Sequence, residues 1–513
     1  MTTSRRDFLK FVVAGSVTAA CPFPHSLRSA DAEPSTQIDG DHFAICHEVR
    51  DGTDFPKPPV SKRYDVIVVG GGVSGMSAAY FLRDHNFLLL EKEPQFGGNA
   101  YREDYQGQGF ATGSAFDEKD TESYQLAKEL GIALLPIDSH DPSIIRGEYV
   151  EDTWHGGLDH LPYPRSVRTA FKKFRATILA MDPDKDAAHL DSFPITDILK
   201  SYPPELTQWW DAYGPSNWGA RTQDTAALCV VEDLHAFGGG EEDVRVTLPG
   251  GNGALARALA AALSAKHADR MLGDATIVSV EPQKSEVNVT YSREGETHTV
   301  AAKAVIMATP KFITARLVSG IPEEQAAAMR SFRYCPYPVV NMIFDQAVYN
   351  RAYDTWCPGN TFTDFIVADW VLQKNDQAYK QKDNILTFYT PLKEAQRPLL
   401  LQDESCQMIA ENILHDFRKL QPAFREAEPI EVHFFRRGHP MYLPVPGNFT
   451  KRIPLARQPM DRVFFANTDS VGPVSDISAA VVSGHQGADW SVKRMNNAAA
   501  SAARLAASVG VRS

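Results

Sequence analysis

Val68-Val-Gly-Gly-Gly-Val-Ser-Gly75 follows a short β-branched run that begins at Tyr64 and precedes a helical run from Met76 to Arg83. Tyr64 to Val69 reads as a buried parallel strand, because it is apolar almost throughout rather than alternating, and glycines end it. Gly70 permits the tight turn, Gly72 lets backbone approach a pyrophosphate, and Gly75 lets helix and strand pack closely. The phosphates would meet free N–H groups at the helix start, with Val73 and Ser74 in the turn before it. Phe87 to Leu90 is a second strand. It ends at Glu91, where a carboxylate would bind ribose hydroxyls, with Lys92 beside it. Strand, glycines, helix, strand and acid in that order predict a dinucleotide site on a Rossmann-type α/β sheet. They leave open whether the dinucleotide is a nicotinamide that exchanges or a flavin that stays.

The rest of the chain narrows the choice. At 513 residues it is too long for one simple core, so two or more domains are expected. A formal net charge of -12 argues against a nucleic-acid partner. Ser4-Arg5-Arg6-Asp7-Phe8-Leu9-Lys10, followed by a brief apolar run to Cys21, resembles a twin-arginine export signal and is too short for a stable membrane span. Residues 1–32 are read as that signal, with cleavage after Ala30-Asp31-Ala32, an export-machinery partner and a periplasmic or otherwise exported protein. The six cysteines include no CxxC pair, so neither a zinc site nor covalent haem attachment is indicated. Loss of Cys21 leaves an odd number, which excludes a fully paired disulfide framework.

Further glycines supply the family. Phe96-Gly97-Gly98-Asn99 follows the ribose acid at once, and Gly109-Phe-Ala-Thr-Gly113-Ser114-Ala-Phe116 comes soon after. Leu248-Pro-Gly-Gly251-Asn-Gly253 precedes a helix, and Ala275 to Val280 and Ala304 to Pro310 read as strands. Val463-Phe-Phe-Ala-Asn467-Thr-Asp469-Ser leads into Asp476-Ile477 and a last helix. In this order the segments resemble the flavin-containing amine oxidoreductase family. The resemblance implies FAD: Gly97, Gly98 and Asn99 over its phosphates, and Gly113 and Ser114 beneath the flavin. The backbone of Ile277 and Val278 would lie at the adenine, Asn467 and Asp469 near the ribityl or pyrophosphate, and Asp476 and Ile477 at the ring. The family's Gly-Glu is replaced here by Asn467-Thr468. The implied FAD domain is discontinuous, 60–115, 246–312 and 455–513. Inserts 116–245 and 313–454 would form an α+β substrate domain, and 33–63 a surface arm or linker.

Closer in motif are bacterial exported spermidine dehydrogenases, which the Asn-Thr-Asp-Ser run and His42 to Gly52 resemble. That likeness implies a small-molecule amine substrate, an external electron acceptor and a non-covalent haem b, with His42 and His47 as its ligands. Bystander histidines are the competing account. Three residues are assigned to catalysis. His439 would cross the flavin face, or be a structural histidine beside a proline turn. Tyr442 would wall an aromatic slot for the amine, or be core. Asn341 stands where many family oxidases carry a lysine beside flavin N5, which favours a dehydrogenase, or is a structural asparagine. Glu241-Glu242-Asp243 would attract a polycation, or be a solvated loop. Two rival functions stay open: a flavin desaturase or oxidase of apolar substrates, and a flavin-binding protein without turnover. Oligomeric state is not legible.

Overall fold

In the computed structural model the described residues are 36–40, 42–113, 115–236, 244–375, 384–472 and 475–510. The expected signal at 1–32, Ser114 and the Gly238 to Asp243 loop lie outside them.

Two sheets organise residues 36–510. The seven-stranded sheet has at its centre Arg63–Val69, apolar and buried over its last four residues. Phe87–Leu90 and Glu296–Met307 flank it in parallel, and Met271–Leu272 extends the edge beyond Phe87–Leu90. Glu296–Met307 is twelve residues long and does two jobs. Its first half pairs with Val287–Arg293 in an antiparallel meander that continues to Thr276–Pro282, and its last three residues pair in parallel with Val463–Phe465. One sheet therefore gathers strands from three separated stretches of sequence.

Helices cover this sheet at unusually short range. A Cβ at Gly75 would sit 1.8 Å from the Gly70 carbonyl oxygen, so only glycine lets helix Val73–Phe81 meet its strand. A Cβ at Gly484 would sit 2.2 Å from Ser74 O, so the closing helix Ile477–Gly510 lies backbone to backbone on the first helix. Ser74 and Ser483 hydroxyls bond across that contact at 2.8 Å.

The eight-stranded sheet runs Thr36–Gly40, Glu431–Arg436, Val339–Phe344, Asn384–Tyr389, Asp364–Val367, Asp354–Trp356, Ser143–Ile145, Glu148–Val150. Side chains alternate between its faces. Val340, Met342, Phe365, Phe388 and Phe434 pack in one apolar cluster with Ile413 and Phe417 of helix Asp403–Leu420. The register puts two rows on the opposite face: Val339, Tyr389, Asp364 and Trp356 in one, Asn341, Thr387, Ile366 and Asp354 in the next. That face meets the hairpin Arg102–Tyr105/Gln108–Ala111, which leads from the glycine pair toward Gly113. Helices Arg165–Leu179, Pro204–Trp218 and Ala227–Ala236 close the far side around an aromatic cluster of Trp154, Trp209, Trp210, Tyr213 and Trp356.

The arm has secondary structure of its own, and none of its described residues up to Arg63 is buried. Thr36–Gly40 is a strand of the eight-stranded sheet, in parallel register with Val432 to Arg436, and Ala44–Arg50 is a helix. Backbone pairing is not readable from a polar, proline-bearing composition. None of the five described cysteines forms a disulfide.

Candidate functional site

The two glycine motifs touch. Gly97 N–H donates to Gly71 O at 2.9 Å, and a Cβ at Gly98 would come within 3.0 Å of Gly72 Cα. Gly98 has a φ of 58° and Gly70 one of 103°, so these turns need glycine's freedom. Gly72 is the N-cap of the first helix and has no side chain to satisfy the first-turn amides. An added Cβ there would meet nothing nearer than Gly98 Cα at 3.8 Å. The result is an open cradle at a helix start, floored by two glycine backbones, which suits a pyrophosphate.

Glu91 is buried. Its carboxylate accepts the Gly71 N–H at 2.5 Å and the Glu93 N–H at 2.9 Å, so it fastens the loop while keeping lone pairs for ribose hydroxyls. Burial pushes its pKa up against Lys92 and those two amides. The Thr276–Pro282 strand bulges between Ile277 and Ser279, leaving the Val278 backbone without a ladder partner. That is where the resemblance sets adenine. Gly113 O accepts from the Tyr389 hydroxyl at 2.8 Å, and a Cβ at Gly113 would strike Asn99 O. At the other end Asp476 caps the closing helix, its Oδ1 accepting the Ala479 N–H at 2.6 Å beside buried Ile477. These features fit FAD. Arg102 is not among them, because its guanidinium donates to Pro249 O and Asp104.

Several expected roles are corrected. Asp469 faces no cleft. It is fully buried, and its carboxylate accepts from Lys311 Nζ at 2.5 Å, the Tyr334 hydroxyl at 2.6 Å and the Lys311 N–H at 2.9 Å. Lys311 is equally buried, so the pair is an internal lock between the exits of two neighbouring strands, Glu296–Met307 and Val463–Phe465. Tyr442 is core: 1% exposed, paired with Tyr334 across a short ladder, with its hydroxyl donating to Gly472 O. Asn341 has both ends of its amide engaged, donating to Ala111 O at 3.0 Å and accepting from Thr387 Oγ1 at 2.5 Å. It positions the hairpin and is not aimed at a reacting atom. His439 rests 4.7 Å from the Phe312 ring and 6.4 Å from that of Tyr334, and Asn99 Nδ2 bonds the next carbonyl, Pro440 O, at 2.8 Å. Asn467 keeps a glycine-like φ of 82° where the resembled sequences have glycine, and its N–H donates to Ser74 Oγ.

The haem reading gains nothing. His42 gives both its backbone N–H and its ring Nδ1 to Glu93, and burial, then Arg50, lowers the pKa of His47. Among the described residues no group of three or more His, Cys, Asp or Glu side chains could hold a metal ion. Burial would raise Glu93, but Lys92 and His42 hold it down to about 2.

Around Asp476, which the resemblance sets at the flavin ring, the structure gathers acids that sequence reading missed. Asp476, Glu118 and Asp233 keep surface open to solvent, yet surrounding protein strips each of bulk water, and Glu118 lies close enough to feel Asp476 and to be felt by Asp233, so the three line one chamber. Burial, with Asp117 nearby, pushes Asp476 up to about 6. Burial, then Asp141 and Glu118, carries Asp233 to about 8 despite the Tyr213 hydroxyl bonded to it at 3.0 Å. Burial and Asp141 carry Asp364 to about 7. Arg245 is the cation facing this group, and it is committed to Asp141 at 2.6 Å. The available signal was acids placed inside apolar strands, as at Tyr353-Asp354-Thr355-Trp356 and Thr363-Asp364-Phe365.

His433 joins the two layers. Its Nδ1 bonds Glu103 of the hairpin and its Nε2 bonds Glu431, each at 2.9 Å. Burial would lower its pKa, but the two carboxylates raise it. A raised histidine stabilises the fold fully below the unfolded pKa, and that support is lost as pH rises through the folded value. The melting temperature of His433→Gln should therefore lie below that of the parent at pH 6 and converge on it at pH 10. A gap constant across that range would refute the clamp.

The description "Flavin containing amine oxidoreductase" belongs to a family model that matches residues 73–489. Oxidoreductase PigB of Serratia sp. (strain ATCC 39006) is 23% identical, covering 83% of this chain and 74% of that protein. Human amine oxidase [flavin-containing] B is 23% identical, covering 80% and 82%. Among solved structures, wild-type putrescine oxidase bound to putrescine aligns with a TM-score of 0.67 at 16% identity, over 84% of this chain and 99% of that one.

Proposed function

This chain belongs to the flavin-containing amine oxidoreductase family, and from that membership we propose that it oxidises a C–N bond of a cationic aliphatic amine, a polyamine above all. The coarser statement needs no proposal: it is an FAD-dependent oxidoreductase of the amine oxidase type. Bound FAD supplies the two-electron oxidation at the carbon next to nitrogen. The chain's own work is to hold the nucleotide through Gly72, Gly98 and Glu91, and to bring the amine into a chamber screened from water.

One observation carries the amine reading: carboxyl groups of Glu118, Asp233 and Asp476 line the internal chamber. A cation entering offsets the cost of ionising them in a desolvated site. An apolar desaturase substrate would leave that cost uncompensated. Polyamine oxidation also agrees with the putrescine bound in the putrescine oxidase structure of similar fold. Export through the twin-arginine route to the periplasm remains part of the proposal and rests on Arg5-Arg6 and the apolar run behind them.

The test is anaerobic mixing of the purified yellow protein with spermidine, putrescine and butylamine. At least one should bleach the flavin band near neutral pH. Bleaching by no amine would return the protein to the reading without turnover. Bleaching should also quicken as pH rises from 5 to 7, because Asp476, at about 6, then ionises toward the cation.

A further inference from the structure

Asp354 is 4% exposed, and its Oδ1 has no hydrogen-bond partner. A buried carboxyl oxygen left unpaired is unfavourable, so a ligand that pairs with it recovers that cost. Its surroundings specify the ligand. Strand register sets Asp354 on the same sheet face as Trp356 and Asp364. The Trp356 ring lies 4.4 Å from that of Tyr213, which itself stacks on Trp209 at 4.8 Å. Asp364 already accepts from Thr363 Oγ1 at 2.5 Å, and Arg245 is held by Asp141, so neither fills the gap at Asp354. Carboxyl oxygens beside aromatic faces recognise an ammonium group.

Position supplies the second half. Tyr389, whose hydroxyl bonds Gly113 O, is on the strand two ladder steps from Asp354. Strands lie about 5 Å apart, so the strand of Asp354 runs about 10 Å from that of Tyr389. That is too far to hold the reacting nitrogen and suits a second one. We propose that Asp354, with Asp364 and the Trp356 and Tyr213 rings beside it, binds the remote, unreacted ammonium of a diamine or polyamine. The proposal rests on the amine-oxidising reading and fixes its substrate class as a molecule with two separated cationic nitrogens.

The experiment uses the FAD-loaded enzyme and its Asp354→Asn variant, with spermidine and butylamine as probes. Binding is read by calorimetry and flavin bleaching by anaerobic mixing. Loss of a charge-assisted contact weakens binding about 10- to 100-fold. Spermidine affinity should fall by that factor in the variant, while the bleaching rate with saturating butylamine changes less than threefold. The melting temperature should hold, since asparagine keeps the size and shape of the carboxyl group it replaces; a structural role would lower it. If Asp354→Asn does not fold, Asp364→Asn serves, with a diamine-selective loss of about tenfold. Equal losses for both amines, or unchanged spermidine affinity, would overturn the subsite while leaving amine oxidation standing. A parent enzyme that neither binds nor is bleached by either amine would overturn both.

Discussion

Gly75→Ala should yield protein without flavin and with a markedly lowered melting temperature. The new methyl group would sit 1.8 Å from the Gly70 carbonyl oxygen, and the obstacle is backbone rather than a side chain that can turn aside. Relief requires the first helix to lift off its strand. Overpacking costs about 1–3 kcal/mol even where side chains can shift, so the loss here lies at or above that range. The lift would also disturb the closing helix, whose Gly484 packs directly on Ser74 O. Gly72→Ala is the informative contrast. Its Cβ meets no protein atom closer than 3.8 Å, and a φ of -70° suits alanine. That variant should fold with unchanged stability without cofactor and lose FAD affinity, because the methyl occupies the cradle. Absorbance at the flavin maximum and thermal unfolding with and without added FAD read both outcomes. A stoichiometrically yellow Gly75→Ala protein would remove the close-packing argument. A fully yellow Gly72→Ala protein would move the pyrophosphate elsewhere.

The second large effect concerns the interior lock. Lys311→Met would leave the Asp469 carboxylate buried with its ammonium partner gone, and Asp469→Leu would do the reverse. Breaking such a pair costs about 3–5 kcal/mol, whereas replacing both partners by apolar groups is often close to neutral. Each single variant should therefore melt about 6–20 °C lower, at about 2–4 °C per kcal/mol for a large domain. The Lys311→Met/Asp469→Leu double variant should recover most of the loss. Additive losses in the double variant would show that the two residues act independently. The pair matters beyond stability, because Lys311 Nζ also donates to Ala466 O and Ser470 Oγ. It ties the exit of Glu296–Met307 to the exit of Val463–Phe465, the two strand ends beside the expected flavin cleft.

The lock also shows why an acid on the right strand was given the wrong role. Asp469 occupies the motif position that the family resemblance ties to the cofactor, and only the approach of Lys311, 158 residues away, turns it inward. Tyr442 follows the same rule. An aromatic near a flavin segment can face the cleft or the core, and its pairing with Tyr334 decides for the core. The chamber acids were overlooked for the opposite reason. Glu118, Asp233 and Asp364 stand on different elements, and each alone looks like an ordinary polar residue.

What the sequence by itself determined is the nucleotide half of the molecule. Its signals are local: a strand, glycines at the spacing a helix start demands, and an acid one strand later, all fixed by backbone sterics within about thirty residues. The tertiary structure alone decided which carboxylates face the chamber, which one is spent on a buried lysine, and that the Thr36–Gly40 arm is a sheet strand. Those outcomes depend on burial and on partners far away in the chain. Desolvation and charge pairing are properties of the folded surroundings, which no short stretch of residues contains.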